Sequence, residues 1–424
     1  MNRQVFINAN LFDGINASRT GATVVLDGEK ILSVSSADGE PSRIQSGDAV
    51  YDLNGRTLMP GMVSGHFHCT YHNLGAESGI PTVEHPPIFT GYRALANAQL
   101  ALRNGFTGVV GAGNSYLIDP QLSAAIDQGL VEGPRVIPCS PDTSSSADGF
   151  MPWWTNYQVD TGVDVCDGPE ELRRAVRRSY QRGARLFKLT ATGGHGAIVP
   201  KGRRLFAFDE LRATVEAAHE LGMRVRAHIS GKPFILECIR AGIDILDHCD
   251  DMDEECIDAM VKADVFVLPS MYHPFRQLSY GSKFGFDQDE TRQEFEWMCG
   301  ILSKAQQAGV KLCVGDDFGT VVAPHGDYAN ELAVYVDHAG IDPLEVMRWA
   351  TRNGAGLMGM ADELGTIEAG KRADLVIVDG DPTRDIKVLA RTENIVAVMR
   401  DGRFYSKAAL EPDREGTHVL RAVV

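Results

Sequence analysis

The sequence lacks several features that define particular classes of protein. It has eight cysteines in 424 residues and no C-x-x-C pair, so we expect reduced thiols rather than a disulfide framework. No window reaches the roughly 18 uninterrupted apolar residues that a membrane-spanning helix needs. The first residues, MNRQVFINANLFDG, lack the apolar stretch of a secretory signal peptide. The expectation is therefore a cytoplasmic protein without a membrane partner.

Runs of lysine and arginine are also missing. The chain has 41 Lys and Arg against 57 Asp and Glu, which gives a formal net charge of −16. Phosphate backbones and anionic lipid surfaces repel such a chain, so nucleic acid is not an expected partner. Its apolar content of 44% and charged content of 23% are ordinary for a globular protein with a large core. A small-molecule partner is the remaining expectation.

Eight short apolar runs of strand-like character are separated by stretches of helical length. The runs are TLMPGMVSGHFH (57–68), FTGVVGAG (106–113), PRVIPCS (134–140), ARLFKLTA (184–191), RVRAHIS (224–230), DILDHC (244–249), VFVLPS (265–270) and KLCVGDD (311–317). Residues 171–183 and 209–222 repeat apolar side chains at three- and four-residue steps, which predicts helices. Eight alternating units predict an α/β fold, a (β/α)8 TIM barrel. A doubly wound open sheet is the alternative, but no G-x-G-x-x-G follows an early strand.

The two ends of the chain share a different pattern, in which β-rich runs flank Asp-Gly pairs. TVVLDGEKILSV (23–34) predicts a hairpin around Asp27 and Gly28. ADLVIVDGDP (373–382) and IVAVMRDGRFYS (395–406) carry similar turn signals. We therefore predict one small β domain from residues 1–57 plus 366–424, and a barrel domain from residues 58–365.

Polar side chains stand at or near the ends of five of the apolar runs. They are His66 and His68 in the first run, Lys188 in the fourth, His228 in the fifth, His248 in the sixth, and Asp316 and Asp317 in the eighth. His66 and His68 are two residues apart, so on a strand both point to the same face. A single buried histidine is usually a packing residue. Convergence of all these groups at the C-terminal ends of barrel strands instead predicts one metal site.

These segments resemble the amidohydrolase superfamily, in the branch of imidazolonepropionase-like and Xaa-Pro-dipeptidase-like enzymes. The matching segments are PGMVSGHFH, FKLTATGG, AHISG, ILDHCD, GDDFG, and the tail that starts with HGDYANEL and continues through ATRNGAGLMGMADELGTIEAGKRADLVIVDGDP. The similarity spans nearly the whole chain. It implies a metal-containing barrel with a composite β-sandwich built from both termini, and homo-oligomers are common among such proteins.

The resemblance also implies a binuclear centre of two divalent metal ions, for which zinc is expected. It assigns His66, His68 and Asp317 to one ion, His228 and His248 to the second, and Lys188, carboxylated by CO2 to a carbamate, as the bridge. The family pattern places the aspartate ligand two residues after Gly315, which favours Asp317 over Asp316. Strand alternation by itself leaves both aspartates open.

The implied chemistry is hydrolysis by a metal-activated hydroxide. A divalent ion lowers the pKa of a bound water to roughly 7. Asp317 would act as general base and then acid, and His248 would help to stabilise the developing oxyanion. The expected bond is the amide of a small molecule, an N-acyl amino acid or a dipeptide-like substrate. A lactone or other ester is the alternative.

Two other functions fit less well. A deaminase of this superfamily usually carries a glutamate on a helix after the strand-five histidine, whereas ISGKP follows His228. A noncatalytic scaffold commonly loses ligands, whereas this chain retains all six.

Six further residues are predicted to contact the substrate. They are His72, Trp153, Trp154, Tyr157, His195 and His273. The three aromatic residues belong to the long polar segment 141–168, and loops of that length in compact domains are usually functional. An ordinary surface loop packed by its aromatics is the competing interpretation.

Overall fold

The computed structural model describes most of the chain, and twenty strands lie in the part that it describes. The described residues are 3–36, 44–74, 85–148, 162–195, 199–281, 287–405, 410–412 and 417–420. The strands are β1 (Gln4–Leu11), β2 (Arg19–Asp27), β3 (Lys30–Ser35), β4 (Ala49–Asp52), β5 (Thr57–Pro60), β6 (Met62–Phe67), β7 (Phe106–Gly111), β8 (Arg135–Ile137), β9 (Cys139–Ser144), β10 (Val163–Val165), β11 (Leu186–Thr190), β12 (Arg224–Ser230), β13 (Ile245–Asp250), β14 (Phe266–Leu268), β15 (Lys311–Leu312), β16 (Leu375–Val378), β17 (Ile395–Arg400), β18 (Arg403–Phe404), β19 (Leu410–Pro412) and β20 (Thr417–Leu420).

The α-helices of the described residues lie mostly between consecutive strands. They are α1 (Pro87–Arg103), α2 (Ile118–Asp127), α3 (Pro169–Gln181), α4 (Phe208–His219), α5 (Lys232–Ala241), α6 (Glu254–Ala263), α7 (Tyr272–Tyr280), α8 (Gln288–Ala308), α9 (Tyr328–Asp337), α10 (Pro343–Arg348) and α11 (Gly354–Leu357). Across this part of the chain, no helix combines the length and the apolar character that a membrane span requires.

One mixed sheet of ten strands, the terminal sheet, takes strands from both ends of the chain. Its order is β18-β17-β16-β5-β1-β4-β20-β19, and β2 pairs with both β1 and β3. The predicted hairpin is confirmed, because β2 and β3 are antiparallel with Asp27 opposite Lys30. Apolar side chains from both ends share one core, in which Phe6, Leu58 and Leu375 are buried. The two ends of the chain therefore stabilise each other.

The strands between the two ends pair in parallel and form two further sheets. The larger has the order β10-β9-β11-β12-β13-β14-β15, and the smaller has the order β6-β7-β8. Parallel neighbours need long crossover connections, which the helices supply here. β11 is almost wholly buried, as expected for a parallel strand covered on both faces, and three of its five residues are apolar. The carboxyl ends of these strands carry the polar residues singled out above.

Most of the predicted elements are present. Each of the eight predicted runs contains a strand, and α3 and α4 occupy the two predicted helical segments. A mixed α/β fold with parallel sheets is therefore observed, whereas the closed barrel, the sandwich and the domain boundaries stay predictions.

One prediction was partly wrong. Residues 141–168 were predicted to form a loop, but β9 continues to Ser144 and β10 pairs with it. β10 is three residues long and has a polar centre, so periodicity does not reveal it.

Candidate metal centre

His66 and His68 face the carboxylate of Asp317 from the end of β6. Asp317 Oδ1 lies 2.9 Å from His66 Nε2 and 3.3 Å from His68 Nε2. The two Nε2 atoms are 3.0 Å apart, and both imidazoles are buried. His68 Nδ1 lies 3.0 Å from the Gly113 carbonyl oxygen, which orients the ring with Nε2 toward Asp317. Two imidazole nitrogens and a carboxylate oxygen within 4.8 Å of one another form a set that can hold one metal ion.

A close approach of two backbones creates this geometry. Gly315 has a φ of +142°, and a Cβ on it would lie 2.2 Å from the His66 backbone nitrogen. The Gly65 amide donates to the Val314 carbonyl at 2.7 Å in the same place. Only glycine accommodates both the backbone conformation and the contact. The chain after β15 therefore brings Asp317 to the end of β6.

A second set of ligand atoms surrounds His248 at the end of β13. His195, His248 and Asp317 each place a ligand atom within 4.8 Å of the others. The His248 ring stacks on His195 at a centroid distance of 3.8 Å, and the His228 ring lies 4.5 Å away. His248 is fully buried, and neither ring nitrogen has a hydrogen-bond partner among the described residues. A buried nitrogen without a partner is costly, so these atoms fit the role of metal ligands.

The other two predicted ligands are placed differently. Lys188 is buried, and its ammonium donates to Asp247 Oδ2 at 2.7 Å. His228 Nε2 lies 3.2 Å from the Gly194 carbonyl oxygen. Neither side chain belongs to the two close sets of ligand atoms, although His228 touches His248. The unmodified lysine thus pairs with a carboxylate that the sequence analysis did not single out.

The electrostatics favour neutral forms of three histidines, His66, His228 and His248, and an ionised Asp317. Burial lowers the pKa of His66, and it lowers that of His248 well below the usual range. Burial, with Lys188 nearby, lowers the pKa of His228 to about 3. Burial opposes ionisation of Asp317, but the surrounding histidines hold its pKa well below the ordinary value. Neutral imidazole and carboxylate are the forms that bind metal ions.

Asp316 has a different role from its neighbour. Its Oδ2 accepts from the backbone nitrogens of Tyr272 and His273 at 2.7 and 3.1 Å, and its Oδ1 accepts from the Asp317 nitrogen. Burial and the charge of Asp317 raise its pKa to about 7. Asp316 therefore anchors the start of α7, and Asp317 is the aspartate that faces the histidines.

Among the predicted substrate contacts, His195 belongs to the second set of ligand atoms, and His273 lies beside it. The His273 ring is buried 5.8 Å from that of His195. His195 Nδ1 pairs with Asp250 at 3.0 Å, and although burial opposes it, this carboxylate raises the His195 pKa to about 9. His72 is exposed. Trp153, Trp154 and Tyr157 lie outside the described residues.

Three charged residues at the site were not predicted from the sequence: Arg226, Asp247 and Asp250. All three are buried. The sequence does contain a signal for these charges. Arg226 lies two residues before His228, and Asp247 directly precedes His248, within runs predicted to be strands. Buried charges are rarely left unpaired. Three charges within two buried strands therefore indicated an ion-pair network beside the predicted ligands.

Comparisons with known proteins find similarity over most of the chain. A model described as the amidohydrolase family matches residues 57–405. The ochratoxinase of Aspergillus niger is 27% identical over 424 aligned residues, covering 93% of this chain and 84% of that protein. The imidazolonepropionase of Streptomyces griseus is 24% identical, covering 90% and 92%. A solved Xaa-Pro dipeptidase with methionine bound in its active site superposes with a TM-score of 0.84 at 28% identity, covering 96% of this chain and all of that one.

Proposed function

The chain belongs to the amidohydrolase family, and from this membership we propose that it is a metal-dependent hydrolase that cleaves an amide bond in a small molecule. The observation that carries the proposal is the meeting of His66, His68 and Asp317 within 4.8 Å. The unpartnered nitrogens of His248 next to this group support a second ion. Catalytic metal sites in proteins use the same types of ligand.

The proposed ligands are the six predicted from the sequence, with zinc as the expected metal. They are His66, His68 and Asp317 for one ion, His228 and His248 for the other, and carboxylated Lys188 between them. A bound divalent ion supplies Lewis acidity and a lower pKa for its water. In this arrangement Lys188 would leave Asp247, its ammonium would lose two protons as the amine adds CO2, and the resulting carbamate would carry the negative charge that two cations favour.

Side chains of this protein would carry out the proton transfers and orient the substrate. Asp317 is held ionised, so it can take a proton from the attacking water and return it to the leaving nitrogen. His248, beside it, orients the carbonyl of the substrate and stabilises charge that develops on its oxygen. The products are a carboxylate and an amine.

The substrate is proposed to be an N-acyl amino acid or a dipeptide-like molecule. The named activities of the relatives support an amide, since one of the similar structures is a Xaa-Pro dipeptidase. A cavity of about 260 Å³, lined by His195, Asp250, Met271 and Gln277 among others, adjoins the ligand sets and suits a small molecule. An ester or lactone hydrolase is the alternative, because the same site attacks either carbonyl.

The finer architecture is part of the same proposal. Contacts at the two places where the parallel sheets meet support a single closed barrel. The Gly65 amide of β6 bonds to the Val314 carbonyl that follows β15, and only Pro138 separates β8 from β9. The proposed barrel domain covers residues 58–365, and residues 1–57 plus 366–424 form a composite sandwich. A homo-oligomer stays a prediction, which light scattering on the purified protein would test.

The decisive experiment combines metal removal with matched substrates. We expect chelation to abolish hydrolysis and Zn²⁺ to restore it, with N-acyl amino acids and dipeptides cleaved faster than esters of the same acyl group. Elemental analysis of the active protein supplies the control. Activity in protein free of divalent metal would refute the proposal, and faster ester cleavage would favour the alternative.

Lys188→Ala tests the bridging carbamate. We expect the variant to lose most of its activity and to bind fewer metal ions, because the two sites lose their shared ligand. Added formate or acetate should restore part of the activity by replacing the carbamate. Full activity without an added carboxylate would reject the bridge while leaving the hydrolase proposal intact.

A further inference from the structure

Arg226 and Asp247 form a completely buried ion pair next to the candidate metal centre. Arg226 Nε donates to Asp247 Oδ2 at 3.1 Å, and its Nη2 donates to Oδ1 at 2.5 Å. Both side chains have no exposed surface. Arg226 Nη1 donates to the carbonyl oxygens of Gly65 and Gly111 at 3.0 and 2.6 Å. The guanidinium of β12 thus reaches across to β6 and β7.

Asp247 connects two of the candidate ligands through its two oxygens. Oδ2 accepts from Lys188 Nζ at 2.7 Å, and Oδ1 lies 3.2 Å from His66 Nδ1. Arg226 Nη2 also lies 3.2 Å from His66 Nδ1. The Asp247 carboxylate therefore contacts His66, a proposed ligand of one ion, and Lys188, the proposed bridge.

The position of the proton on His66 decides whether its Nε2 can bind a metal ion. Nε2 faces His68 and Asp317, and it can offer a lone pair only when Nδ1 carries the proton of the neutral ring. Among the described contacts of Nδ1, Asp247 Oδ1 accepts that proton, whereas Arg226 is a donor. Metal-binding histidines usually donate their other N–H to a carboxylate or carbonyl in this way.

Arg226 makes this arrangement independent of the state of Lys188. With Lys188 as an ammonium ion, Asp247 has two cationic partners. When the lysine leaves to bridge metal ions, Arg226 still neutralises the buried carboxylate. Without Arg226, the departure of Lys188 would leave an unpaired buried charge, which is strongly destabilising.

We propose that Asp247, held in place by Arg226, is a positioning residue of the metal centre that fixes His66 with its proton on Nδ1. This inference rests on the proposed metal-dependent function. Neither residue touches the reacting atoms. Their effect is on metal affinity, and it passes through the orientation of His66.

The test compares Zn²⁺ binding by metal-free protein and two variants, with a chromophoric chelator as competitor. Asp247→Asn removes the charge but leaves Arg226 buried without its partner. The double variant Arg226→Met/Asp247→Leu removes both charges of this ion pair, so neither is left buried without the other. We expect Zn²⁺ affinity at the site formed by His66, His68 and Asp317 to fall about 10- to 100-fold in every variant that folds.

Two further measurements separate positioning from a merely structural role. Nitrogen-15 NMR of histidine-labelled, Zn²⁺-bound protein should show a hydrogen-bonded Nδ1–H on His66 in the wild type, and loss of that hydrogen bond in the double variant. The matched control, Arg135→Met/Asp374→Leu, removes an ion pair between β8 and the terminal sheet. This control should lower stability without changing Zn²⁺ affinity.

Unchanged Zn²⁺ affinity and an unchanged Nδ1–H signal of His66 in the double variant would overturn the inference alone. A wild-type protein that binds no Zn²⁺ would instead refute the proposed function itself. The two failures are therefore distinguishable.

Discussion

Asp317 is the residue at which the two sets of candidate ligands meet. Its carboxylate belongs to both groups, one with His66 and His68 and one with His195 and His248. No other described residue is shared by both groups. Its ionisation therefore influences metal binding and proton transfer together.

Asp317→Asn tests this shared role. We expect kcat/KM to fall about 10²- to 10⁴-fold, because the amide cannot take the proton of the attacking water, and bound metal should decrease. Assays with metal analysis measure both effects. Asp316→Asn is the matched control, since that carboxyl group contacts backbone amides and should change stability more than Zn²⁺ content. Equal losses of metal in the two variants would contradict these separate roles.

His325 makes the metal-free protein sensitive to acid. Burial lowers its pKa to about 3, and its ring nitrogens contact the Tyr328 hydroxyl and the His68 carbonyl oxygen at 2.9 and 3.2 Å. The unfolded chain has an ordinary histidine pKa of about 6.5. Between these values the unfolded state binds the additional proton, so stability decreases as pH falls from about 6.5 toward 3.

His325→Gln should reduce this dependence. The free energy of unfolding of the metal-free variant should fall less steeply with decreasing pH than that of the wild type, by up to about 1.4 kcal/mol per pH unit. Urea denaturation at several pH values between 4 and 8 measures the slopes. Above pH 7 the difference between the proteins should be constant, and parallel curves below pH 6 would contradict the assignment.

At the scale of secondary structure, the contact between β6 and the segment after β15 decides where Asp317 lies. Gly315→Ala should disturb it, because the new Cβ would lie 2.2 Å from the His66 nitrogen. We expect lower stability and weaker Zn²⁺ binding, both measurable by denaturation and chelator competition.

Gly309→Ala is the control for that substitution. Gly309 also has a positive φ, of +89°, but a Cβ there meets nothing within 4 Å. It should cost about 1–2 kcal/mol of stability from the left-handed backbone alone and leave Zn²⁺ affinity unchanged. Similar Zn²⁺ affinities in the two glycine variants would show that the close approach does not position His66.

At the scale of the whole molecule, one ion-pair cluster joins the parallel strands to the terminal sheet. Arg135 of β8 donates to both oxygens of Asp374 at 2.9 and 3.0 Å and also pairs with Asp401. The Asp374 side chain is almost completely buried. Removing a partner of this buried carboxylate should therefore lower the stability of the fold.

Arg135→Ala should lower the free energy of unfolding by about 3 kcal/mol, because it leaves a buried carboxylate short of one partner. Metal content and kcat/KM should stay close to the wild-type values, since the candidate ligands are not involved. Denaturant unfolding and activity assays measure the two effects. A loss of activity in fully folded variant protein would indicate that this junction also positions the site.

The sequence by itself indicated the alternation of strands and helices, the hairpin of β2 and β3, and the polar residues near strand ends. These properties are local, because side-chain periodicity and turn residues act over a few positions along the chain. The same local nature explains why β10 was missed, since three residues with a polar centre carry no period.

Side-chain periodicity does not show which polar groups are partners. The family resemblance implied the grouping of Asp317 with His66 and His68, and the tertiary structure decided the other pairs. The structure placed Asp317 with His66 and His68, and gave Asp316 to backbone amides. It also paired Lys188 and Arg226 with Asp247, which are 59 and 21 residues away from it along the chain. Neighbours of this kind depend on how strands and their connections pack in three dimensions. For that reason the pairing within the ion-pair network behind the candidate metal centre emerged only from the folded chain.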